Sequence, residues 1–120
     1  MPGAALVVDV LVVVVFAAVG RRSHAETDAL TGVLVTAWPF LAGLAIGWAG
    51  FAAVYRRAPL TWFEAVPVWL LTVAVGMVVR QLTDKGTAPA FIVVATLFLG
   101  LGLLGWRRLA RRWTAGDERV

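Results

Sequence analysis

Polar residues fall in short bands along this chain, and between them run four stretches nearly free of charge: 4–20, 30–54, 62–79 and 87–106. Their lengths of 17, 25, 18 and 20 residues match the ~17–25 residues a helix needs to cross the hydrocarbon core of a bilayer. The first carries Val12-Val13-Val14-Val15, a run that reads as strand in water. In lipid an open strand leaves its backbone groups unpaired, so a helix is predicted there. The connections between stretches are short, which makes neighbouring helices antiparallel. The pattern predicts an all-α fold: an integral membrane four-helix up-down bundle, one transmembrane domain over 1–120 with a basic tail at 107–120.

Local signals mark the helix starts. Ser23-His24-Ala25-Glu26 and Thr61-Trp62-Phe63-Glu64 both have the spacing of a capping box, in which a hydroxyl and a carboxylate bond each other's backbone N–H. Pro89 sits in a first turn, where its missing N–H costs nothing. Pro39 and Pro67 fall inside stretches and predict kinks.

Composition sharpens this picture. Of the 120 residues 61% are hydrophobic and 15% charged, with mean hydropathy +0.86. Soluble chains average ~45–50% apolar and ~25% charged. An ordinary soluble enzyme, a disordered tail and a nucleic-acid module are excluded. There are no cysteines, so thiolate chemistry and Cys-based metal sites are excluded too. The opening residues carry no positive charge before the first stretch, so that stretch is expected to stay as a membrane helix.

The formal charge of +4 bears on orientation. One predicted side holds Arg56, Arg57, Arg107, Arg108, Arg111, Arg112 and Arg119, and the other Arg21, Arg22, Arg80 and Lys85. The richer side belongs in the cytoplasm. Both termini are therefore expected on the cytoplasmic face of the cell membrane, with Trp48, Tyr55, Trp62, Trp106 and Trp113 as an aromatic belt there.

Sliding the chain by 58 positions aligns Val8–Trp48 with Val66–Trp106 at ten identical pairs, among them Arg22/Arg80, Phe40/Phe98, Leu41/Leu99, Gly47/Gly105 and Trp48/Trp106. Taken at face value, this is a tandem duplication of a two-helix hairpin.

Asp9, Gly20-Arg21-Arg22-Ser23-His24, Trp38-Pro39-Phe40-Leu41-Ala42-Gly43, Arg57-Ala58-Pro59, Gly76 with Arg80, and Gly105-Trp106-Arg107 together resemble the prokaryotic membrane family known as domain of unknown function 3054. The likeness runs from Asp9 to Arg107. It implies a small four-helix membrane protein and supplies no activity, substrate or cofactor.

Asp9 is the first candidate for chemistry. A charged Asp costs ~2.5–3.5 kcal/mol at the centre of a membrane helix and less near its end. It reads either as a proton or cation site in the bundle, or as an interfacial acid bonded to Arg56 or Arg57. A second candidate is the outer-face polar cluster of Arg21, Arg22, His24, Arg80 and Asp84. Two arginines there could clamp a phosphate or carboxylate, or simply complement helix C-termini and reach headgroups. The lone His24 makes no metal centre, and neither a metal nor a cofactor is expected. Gly43 and Gly47 have the G-x-x-x-G spacing of close helix approach, within the bundle or in a homodimer. Arg107, Arg108, Arg111 and Arg112 suit anionic lipid headgroups.

Two functions follow as expectations. One is a transporter- or channel-like module working as an oligomer around the intramembrane Asp9. The other is a non-enzymatic protein that binds a membrane partner or lipid. No catalytic spacing is present, and nucleic acid is not an expected partner.

Overall fold

The computed structural model describes residues 2–21, 29–83 and 87–118. They form four helices: α1 Pro2–Arg21, α2 Ala29–Tyr55, α3 Ala65–Leu82 and α4 Pro89–Glu118. All four are long and apolar enough to cross a membrane, and the described residues contain no strand. The chain is a multi-pass membrane protein by this measure. Its outer surface agrees. Val7, Leu34, Val54, Val78, Leu97 and Leu101 are all more than half exposed, an apolar coat that water would penalise and lipid does not.

The helices form a ring. α1 packs on α2 and α4, and α3 packs on the same two, with α2 and α3 sharing the most extensive seam. Side chains four apart lie on one helix face, and the buried stripes follow that spacing. On α1 the stripe is Ala5, Asp9, Val13 and Ala17; on α4 it is Ala95, Leu99, Leu103 and Arg107. The core between them centres on Phe16, whose ring lies 5.2 Å from Phe40, 5.9 Å from Phe91 and 5.5 Å from Phe98.

Glycines set the α2/α3 seam. A Cβ on Gly43 would lie 2.8 Å from the Thr72 backbone, and one on Gly47 would lie 3.0 Å from Val68 Cα. On the facing helix, a Cβ on Gly76 would lie 2.3 Å from the Phe40 ring. Small residues thus let two backbones meet where lipid offers no hydrophobic drive for helices to associate. The face that carries Gly43 and Gly47 is filled from within the chain by α3, which leaves it no room for a second copy.

Several boundaries differ from the sequence expectation. α3 begins at Ala65 rather than 62, because residues 61–64 form a separate turn. The capping box does form in that turn: Glu64 N–H donates to Thr61 Oγ1 at 3.4 Å and Thr61 N–H to Glu64 Oε1 at 3.2 Å. Pro67 consequently falls in the first turn of α3, where the missing N–H has no intrahelical partner to lose, and its expected mid-span kink has no cause. Pro39 is fully buried inside an unbroken α2. The basic tail, by contrast, prolongs the last helix as its sequence from Arg107 to Trp113 leads one to expect, and α4 runs on to Glu118. Ser23-His24-Ala25-Glu26 lies outside the described residues.

Candidate functional site

Asp9 lies two turns into α1 with no solvent exposure. α1 runs antiparallel to α2 and α4, so the start of α1 meets their late turns. This brings Trp48 from α2 and both Trp106 and Arg107 from α4 onto one carboxylate. Trp48 Nε1 donates to Oδ2 at 2.8 Å and Trp106 Nε1 to Oδ1 at 2.8 Å. Arg107 adds a fork, Nη1 to Oδ1 at 2.8 Å and Nη2 to Oδ2 at 2.7 Å. A carboxylate offers about four lone-pair sites, and here four donors occupy them.

Arg107 is equally well used. Its Nε donates to the Pro59 carbonyl at 2.9 Å, and Nη1 also donates to the Leu103 carbonyl at 2.8 Å. Its guanidinium carbon lies 4.8 Å from the Trp106 ring centre. The planar fork of Arg matches a carboxylate in two parallel bonds, and both ion-pair side chains are fully buried. The pair joins the start of α1, the second half of α4 and the connection between α2 and α3.

Three sequence expectations are corrected here. The partner of Asp9 is Arg107, whereas Arg57 pairs with Glu64. Arg107 is not at the lipid surface with Arg108 and Arg111; it is 1% exposed while they are exposed. Trp48 and Trp106 direct their N–H groups inward to Asp9 instead of forming a headgroup belt. Two signals pointed this way. Arg107 continues the i, i+4 stripe Ala95-Leu99-Leu103, and Trp48 and Trp106 are matched positions of the internal repeat.

The loop that follows α2 carries a second polar group. Arg56 closes α2 with φ 60°, a left-handed conformation that costs a non-glycine residue energy. Arg57 then reaches back to Glu64 and lies over the rings of Phe51 and Tyr55 at 5.5 and 5.9 Å. The Arg57 hydrogen bond, helped by the Thr61 backbone and hydroxyl, holds the Glu64 carboxyl down to about 2 against the opposing effect of its burial.

The outer-face cluster is only partly visible. Arg22, His24 and Asp84, like the side chain of Arg21, lie outside the described residues. Arg80 sits over the Phe91 ring, 4.2 Å from its centre. The side chain of Arg112 also lies outside the description. Among the described residues no three of His, Cys, Asp and Glu gather as metal ligands would.

The residues that build the clamp, Asp9, Pro59, Trp106 and Arg107, are also those of the resemblance drawn from the sequence. The family described as Protein of unknown function (DUF3054) matches residues 6–110. The chain belongs to that family. The matched segment contains the whole Asp9–Arg107 site and all but the ends of the bundle in this DUF3054 protein. No curated protein and no solved structure gives a significant match.

Proposed function

We propose that this protein is a non-enzymatic membrane module that engages a partner or lipid along the outside of its bundle. In this reading Asp9–Arg107 is a structural clamp that closes one end. The observation that carries it is the filled carboxylate: four donors surround Asp9, leaving no direction for water, an ion or a solute. A proton or cation carrier needs such access, so the transporter reading loses its main support at this residue. The positive-residue count favours both termini in the cytoplasm. Because the chain has no native cysteine, single introduced cysteines will report that orientation cleanly.

Flux in vesicles tests the reading. Vesicles containing the wild-type protein should lose an imposed pH gradient no faster than empty vesicles, and Asp9→Asn should change nothing. A protein-dependent leak abolished by Asp9→Asn would replace the clamp with a proton pathway.

A further inference from the structure

The face formed by α3 and α4 differs from the rest of the coat. Between these helices runs an open, apolar groove of about 340 Å³, walled by Trp62, Trp69, Gly100, Leu101 and Gly105 and ended by Arg108. Trp69 donates its indole N–H to the Thr96 carbonyl at 2.9 Å, so it offers the groove its ring and no unmet donor. Gly105 leaves space, since a Cβ there would meet nothing within 4 Å. The neighbouring Leu97 and Leu101 are 60% and 77% exposed, which places the groove on the bilayer side.

We infer that this groove is a binding site for one anionic phospholipid, with an acyl chain along Trp69 and Gly105 and its phosphate on Arg108. The inference rests on the outward-facing reading above and names its ligand. Charge is the first argument. Arg107 is consumed by Asp9 and Arg57 by Glu64, while no carboxylate among the described residues meets Arg108. Arg111, one turn further and exposed, adds a second positive charge beyond the groove's mouth. A guanidinium binds phosphate through paired hydrogen bonds. Length is the second argument. From Leu97 to Arg108 a helix rises roughly 17 Å, close to the ~15 Å of one leaflet, half the ~30 Å hydrocarbon core. A headgroup at Arg108 thus puts its chain end near the bilayer midplane at Leu97. A helix from a second copy, about 10 Å across, would rest on the rim of so small a groove and leave its floor unfilled.

The test uses the full chain in phosphatidylcholine vesicles carrying a small fraction of brominated lipid, with tryptophan quenching as the readout. Brominated phosphatidylglycerol should quench at lower mole fraction than brominated phosphatidylcholine, by about fivefold for one basic contact. Arg108→Gln should remove that preference. Gly105→Leu puts bulk into the groove from a position where a Cβ meets nothing within 4 Å, so it should abolish the excess quenching while leaving the melting temperature in detergent unchanged or raised. Equal quenching by the two lipids, or a preference indifferent to both variants, overturns the lipid site. So does a result in which Gly105→Leu dissociates a cross-linkable dimer with quenching unchanged, because a second copy then fills the groove. These failures are separable from failure of the clamp reading, which shows as Asp9-dependent proton leak and does not depend on Arg108 or Gly105.

Discussion

The α2/α3 and α1/α4 seams occupy equivalent places in the internal repeat, yet they are held by opposite means. At α2/α3 the glycines at 43 and 47 bring backbone against backbone, and everything in contact is apolar or bonded within its own helix, as Thr72 is to the Val68 carbonyl. At α1/α4 the positions matching Pro67 and Ala49 are Asp9 and Arg107, and an ion pair with two indoles replaces close approach. The shared parts of the repeat are reused around α1. Phe40 and Phe98 both pack on Phe16, while Trp48 and Trp106 both donate to Asp9. The difference teaches that two hairpins can be joined by shape along one seam and by a polar bolt along the other. A bolt fails differently from a shape when one piece is removed.

The largest effect should come from breaking the bolt. Asp9→Ala leaves Arg107 buried and unpaired, which should cost about 3–5 kcal/mol, read as a lower unfolding midpoint in detergent. Replacing both partners, Asp9→Leu with Arg107→Met, should recover most of that loss, because an apolar pair of similar size removes the stranded charge. Failure of the double variant to recover would mean that the indoles and the Pro59 carbonyl need the pair as much as it needs them.

Next comes the shape-held seam. Gly43→Ala drives a Cβ into the Thr72 backbone at 2.8 Å and should destabilise by about 1–3 kcal/mol. Gly105→Ala, on the open side of α4, should do the reverse and stabilise by up to about 1 kcal/mol through helix propensity. Thermal melts of the two variants side by side test whether glycine marks contact at Gly43 and open space at Gly105.

The connection that joins the shape-held pair gives two smaller effects. Arg56→Gly relieves the left-handed backbone at φ 60° and should stabilise by about 1 kcal/mol. The Glu64 carboxyl is lowered from 4.5 to about 2 by its bond to Arg57. A depressed carboxyl contributes stability above its unfolded value and loses it as the folded group protonates. Stability should therefore fall between about pH 4.5 and pH 2 in the wild type, and Glu64→Gln should flatten that fall. This effect should be the smallest, because Arg57 is half exposed and solvent screens the pair.

The four helices were legible because lipid makes length and apolarity sufficient, and the capping box at Thr61–Glu64 because its residues are adjacent. Asp9 stood out as one acid in an apolar run. Its partner did not, since Arg107 sits among Arg108, Arg111 and Arg112 and composition alone assigns all four to headgroups. Only the facing of each turn separates them, and the stripe from Ala95 to Arg107 was the available clue. The α3/α4 groove was invisible for a related reason. Gly43 and Gly105 read alike in sequence, and only the neighbour across the seam tells a filled notch from an open one.

The ion pair spans 98 positions of the chain, and that separation sets an order of events during synthesis. α1 emerges first and enters the membrane with a carboxylate that still lacks both Arg107 and Trp106. Trp48 supplies the first donor once α2 is made, and the guanidinium follows only with the final helix. A nascent chain stalled before α4 is thereby left with an acid among oily neighbours that one indole alone can satisfy, still short of the charge that neutralises it.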